Sequence, residues 1–72
     1  MKAIINLTTI AELPCEIASV SDHEVSFKIT KDIATADNLN ALLFMKARIY
    51  EYSTDISVTL SRESVVSILF VD

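Results

Sequence analysis

Cys15 and His23, the single cysteine and single histidine of the chain, are the residues best suited in type to nucleophilic chemistry. A cysteine thiolate is activated by an imidazole standing close enough to take its proton. The spacing argues against such a pair. Val25, Phe27 and Ile29 alternate with Ser26, Lys28 and Thr30, and this period of two predicts a strand from Val25 to Lys31. With Cys15 to Ser21 as its hairpin partner, Asp22-His23 falls at the turn. Cys15 then lies eight residues back along its strand, more than about 20 Å from the histidine at 3.3 Å per residue. Cys15 therefore reads as a small buried hydrophobe and His23 as an exposed turn residue. One Cys and one His make neither a zinc site of the usual kind nor an intrachain disulfide.

A second constellation is Lys46, Arg48, Tyr50 and Tyr52, which share one face if this stretch is a strand. Cations interleaved with aromatics bind single-stranded nucleic acid by charge and stacking. Tyr and Arg are equally the preferred anchors of protein interfaces, and the same residues also suit a plain solvated face. A net charge of −4 weighs against nucleic acid, because such binding rests on neutralising phosphates. Arg48, Tyr50 and Tyr52 are accordingly candidate protein-interface residues. The carboxylates are scattered, and Asp32, Asp37, Asp55 and Asp72 sit where turns or termini are expected. They suggest no acid–base pair. No enzymatic activity, cofactor or metal is expected.

The chain has no glycine in 72 residues, where average usage would give about five. Phosphate loops, dinucleotide fingerprints and the EF-hand calcium loop all need glycine, so those chemistries are excluded. Every turn must instead be built by Asp, Asn, Ser or the single Pro14.

The elements that must position these residues are mostly strands. Met1 to Thr9 reads as the first, with Ala3, Ile5 and Leu7 on one face, and Pro14 opens the second. Without glycine, the hairpin at Asp22-His23 needs a three- or four-residue loop rather than a two-residue one. Asp32 to Asn40 is a connection or one short helical turn. Ala41 to Tyr52 fits two patterns. As a helix it stripes Leu39, Leu43, Ala47 and Tyr50; as a strand it alternates Leu43, Met45, Ala47 and Ile49 with Phe44, Lys46, Arg48 and Tyr50. Register favours the strand: a loop at Ser53-Thr54 sets Ile49 opposite Val58, Ala47 opposite Leu60, Tyr50 opposite Ser57 and Arg48 opposite Thr59.

Ile56 to Leu60 forms another strand and Val65 to Val71 the last. This last run is apolar on both faces, with Val66, Ile68 and Phe70 on one and Val65, Leu69 and Val71 on the other. Such a strand must be covered on both sides, and Arg62, Glu63 and Asp72 flank it as charged guards. Val65, Leu69 and Val71 thus join the candidate interface residues.

One domain, 1–72, is expected, mainly β: a small antiparallel five- or six-stranded sandwich or partly open barrel with at most one short helix. The alternative is α+β, with a helix from about Thr35 to Tyr50 on an antiparallel sheet. A core this small is marginal, and 51% hydrophobic residues with a mean hydropathy of +0.44 predict a homo-oligomer or a protein partner in a larger assembly. No leader sequence and no apolar run of membrane-spanning length is evident, so a cytoplasmic location is expected.

Asp32-Ile33, the segment LLFMKARI from Leu42 to Ile49, and Ile56 to Leu60 followed by Ser61 resemble small β-sandwich modules of phage tail and baseplate structural proteins. Those modules carry an Asp-Leu-Thr segment leading into an apolar strand that ends in Arg. The resemblance covers about half the chain, from Asp32 onward. It implies a non-enzymatic structural subunit located in a virion. Two other functions stay open: a small phage-type inhibitor presenting an acidic surface to a host or defence protein, and a single-stranded nucleic-acid-binding module using the Lys46 to Tyr52 face.

Overall fold

The computed structural model describes residues 1–71. Their elements are β1 (Lys2–Leu7), β2 (Leu13–Val20), β3 (Glu24–Thr30), α1 (Ala36–Phe44), β4 (Arg48–Glu51), β5 (Asp55–Ser61), a single 3-10 turn (Arg62–Ser64) and β6 (Val65–Phe70). The six strands form one open antiparallel sheet in the order β4-β5-β3-β2-β1-β6. The fold is mainly β with one helix, as expected, and its strands join a single sheet in place of the two layers of a sandwich.

Alternation decides which face is buried. Ala3, Ile5 and Leu7 of β1, Val25, Phe27 and Ile29 of β3, and Ile56, Val58 and Leu60 of β5 all point inward. Ile49 from one edge strand and Val65 and Ile68 from the other pack on the same cluster. Leu42 of α1 covers the remaining gap and is fully buried.

The β2–β3 hairpin turns through residues 21–23, and with Val20 opposite Val25 and Ser21 bonded to Glu24 it closes around Asp22-His23, tighter than the expected three- or four-residue loop. No residue in this turn needs a positive φ, and Ser21 holds it with its side chain. Its amide donates to the Glu24 carbonyl (2.8 Å), and its hydroxyl oxygen accepts from the amides of His23 (3.2 Å) and Glu24 (3.0 Å).

Residues 41–52 depart from the expected strand. Thr35 caps α1, its Oγ1 accepting from the Asn38 amide at 3.2 Å, and the helix runs through Phe44. It ends in a Schellman motif: the Lys46 amide donates to the Leu43 carbonyl (2.9 Å) and the Ala47 amide to the Leu42 carbonyl (3.1 Å). Ala47 is buried, but its amide serves the helix end rather than a ladder with Leu60. From Arg48 onward the expected register holds, with Arg48 opposite Thr59, Ile49 opposite Val58 and Tyr50 opposite Ser57. The segment is thus helix first and strand second.

Lacking glycine, the chain places Glu12 (φ 54°) and Lys46 (φ 62°) in the left-handed region. Lys46 occupies the position after the helix cap that glycine usually takes. Relief of its Cβ strain outweighs the added freedom of the unfolded chain, so Lys46→Gly is expected to stabilise the fold by about 0.5–1 kcal/mol. A urea titration checks this, and a lowered midpoint would contradict the assignment of strain to Lys46.

Candidate protein-interaction site

β6 carries a run of exposed apolar residues along one edge of the sheet. Val71 donates its amide to the Lys2 carbonyl at 3.0 Å. In an antiparallel ladder the backbone groups alternate in direction. Ser67 and Leu69 therefore bond toward β1, and the amides and carbonyls of Ile68 and Phe70 point at the open edge. Val66, Leu69, Phe70 and Val71 are 67, 61, 51 and 38% exposed. No charged residue interrupts positions 65–71.

The two faces of β6 differ from the simple alternation. Asn6 pairs with Ser67 but Leu7 pairs with Val65, so Val66 is an extra residue, a bulge. The bulge shifts the period by one. Val65 turns inward beside Leu7 and is only 8% exposed, so it belongs to the core and drops out of the candidate interface. Ile68 and Phe70 lie opposite Ile5 and Ala3 on the inner face, and Leu69 lies opposite Ile4 on the outer one. Ile4 in turn lies opposite Pro14. The outer face therefore carries an apolar row, Pro14–Ile4–Leu69, which ends at the edge of the sheet.

The other edge is built differently. β4 is four residues long. Arg48 reaches across β5 to Glu24 (Nη2 to Oε2, 2.7 Å), and Lys31 pairs with Glu51 (Nζ to Oε2, 3.0 Å). Such exposed pairs add little stability, but they put charge on this edge and occupy the Arg48 guanidinium. Lys46 sits at the helix end, and Tyr52 lies past the strand with its amide donating to the Asp55 carbonyl at 2.9 Å. The four-residue cationic–aromatic face is not formed. Only Arg48 and Tyr50 share the outer face of β4, so the groove that single-stranded nucleic acid would need is not assembled there.

Cys15 lies opposite Ala3, at the far end of β2 from the hairpin tip that holds His23. Partial burial pushes its thiol up to about 11 from 9.0. Less thiolate at pH 8 means slower alkylation. Cys15 is expected to react with iodoacetamide roughly ten- to a hundredfold more slowly in the folded chain than in urea, and equal rates would contradict its burial.

Two features had no signal in the sequence pattern. A concavity of about 810 Å³, lined by Ala3, Cys15, Ile17, Ile29 and Ile33 together with Lys28, opens at the Cys15 end of the sheet. Leu43 and Phe44 project from α1, 58 and 80% exposed. The helix stripe Leu39–Leu43–Ala47–Tyr50 places Leu43 inward, whereas Leu42 is the helix residue that is buried.

The Asp32 carboxyl is held below its ordinary range by a hydrogen bond from the Thr30 side chain, so it stays ionised at neutral pH. Among the described residues, no three of His, Cys, Asp and Glu converge to hold a metal ion. None of the described helices is long and apolar enough to cross a membrane. No protein-family model matches the chain, and neither the curated proteins nor the solved structures compared with it contain a match.

Proposed function

We propose that this chain is a non-enzymatic assembly protein that acts through protein–protein contacts along β6. One observation carries the reading: an uncharged apolar strand lies at a sheet edge with open hydrogen-bonding positions, beside an exposed apolar row. Proteins usually blunt such edges with charge, proline or a covering element, because an open edge invites another strand. β4 carries such charges and β6 does not. The resemblance of the segment from Asp32 to Ser61 to tail and baseplate modules suggests a structural role in a phage virion, but it is weakened by Leu42 to Ile49, which is helix through Phe44 and strand only from Arg48.

Light scattering on the purified protein tests the proposal. The wild type is expected at a multiple of its 8.0 kDa chain mass. Leu69→Lys, a change at an exposed position, should return it to one chain with its circular dichroism unchanged. A mass of one chain for both proteins at every concentration would overturn the reading.

A further inference from the structure

We infer that the strand that pairs with β6 is the β6 of a second copy, antiparallel about a two-fold axis at Leu69. This inference rests on the assembly reading above and gives it a partner and a register.

The backbone sets the first condition. The outward-facing groups belong to Ile68 and Phe70, so a new strand must offer its own hydrogen-bonding positions opposite them. With Leu69 on the axis, Ile68 faces Phe70 of the second copy and Phe70 faces its Ile68. A hydrogen-bonded pair then lies on each side of the axis, and the two Leu69 residues form the close, non-bonded pair between them.

Side chains distinguish this register from the one centred a residue earlier. A two-fold at Ile68 also satisfies the backbone, but it sets Phe70 against Val66, where the bulge breaks the ladder. It also puts Leu69 against Ser67, which ends the apolar row on a hydroxyl. The Leu69 axis instead continues Pro14–Ile4–Leu69 into Leu69–Ile4–Pro14 of the second copy, one unbroken row across the outer face. On the inner face it stacks Ile68 on Phe70 twice, closing over residues that stay half-exposed in the single chain.

Local charge does not oppose this occupant. At −4 overall, two copies repel across most orientations. Residues 65–71 carry no charge, so the repulsion is weakest along this edge, which offers a partner only apolar surface and backbone. Pairing of β6 with β4 would propagate into an open filament. The ion-paired, four-residue β4 is a poor match for the six-residue β6, five of whose residues are apolar. The closed two-fold remains.

Cross-linking tests the axis directly. Leu69→Cys is made in a Cys15→Ala background so that it is the sole thiol, with Tyr50→Cys in the same background as control. Opposed non-bonded residues on paired strands have Cβ atoms about 4.5–5.5 Å apart, near enough for a disulfide after slight adjustment. Under mild oxidation the Leu69→Cys protein is expected to form a reducible two-chain species at least tenfold faster than the control. Sedimentation of the wild type from about 1 μM to 1 mM reports the mass in parallel. A mass above one chain without preferential linking at position 69 overturns the two-fold and leaves the assembly reading standing. One-chain mass throughout with no preferential linking overturns both.

Discussion

Phe27→Ala should lower the unfolding free energy by about 3–5 kcal/mol. Phe27 is fully buried at the centre of β3, a middle strand, opposite Ile17 on one side and Val58 on the other. It is the largest fully buried side chain among the described residues. The loss combines the transfer energy of the ring with a cavity that neighbours from three strands can fill only in part. A chain of 72 residues has a total stability of about 4–11 kcal/mol. The variant therefore keeps a narrow margin or none. A urea titration followed by circular dichroism reads the change directly. A shift equivalent to less than about 1 kcal/mol would mean that the core closes over the site, contrary to the packing described.

Leu42→Ala should act more locally. Leu42 is the one residue of α1 that is fully buried, and it accepts from Ala47 at the helix end. The other large side chains of the helix, Leu39, Leu43 and Phe44, are partly or largely exposed. Nine residues make a helix too short to persist without packing. Truncating Leu42 costs about 2–4 kcal/mol, and the helix is the element that this energy holds in place. Amide hydrogens of α1 should exchange roughly 30- to 900-fold faster, with those of β1 to β3 much less affected. Unchanged exchange in α1 would show that something other than Leu42 docks the helix.

The same helix shows where a single sequence stops being legible. Strands β1, β3 and β5 were visible because each buries one face, which alternation records. The register of β4 on β5 was visible too, since Ile49 must meet Val58 if both are to face inward. The helix end was not visible. A helix boundary is usually marked by glycine after the cap, and here a lysine takes the left-handed position. Residues 41–47 therefore alternate smoothly into the strand that follows, and the pattern carries no mark of the break. Ile68 and Phe70 share one face and Leu69 the other, as alternation predicts, but Val65 and Val66 depart from it for a related reason. A bulge shifts the period without leaving a mark on composition, so Val65 was grouped with Leu69 although one is core and the other edge. Of the candidate interface residues, Leu69 and Val71 remain on the open strand. Arg48 is tied to Glu24, and Tyr50 and Tyr52 are exposed but lie on different elements.

The strand order has a consequence for the timing of assembly. β6 lies beside β1, with Phe70 opposite Ala3, so the sheet is completed by joining its two most distant segments. Contacts of such long sequence separation tend to form late, because a large loop must close before they are rewarded. Until then the vacant edge is that of β1, which carries Lys2 and Asn6. Only when β6 docks does the vacant edge become the uncharged one. With β6 as the proposed docking edge, competence to associate would signal that folding is complete, and topology would keep half-made chains out of the assembly.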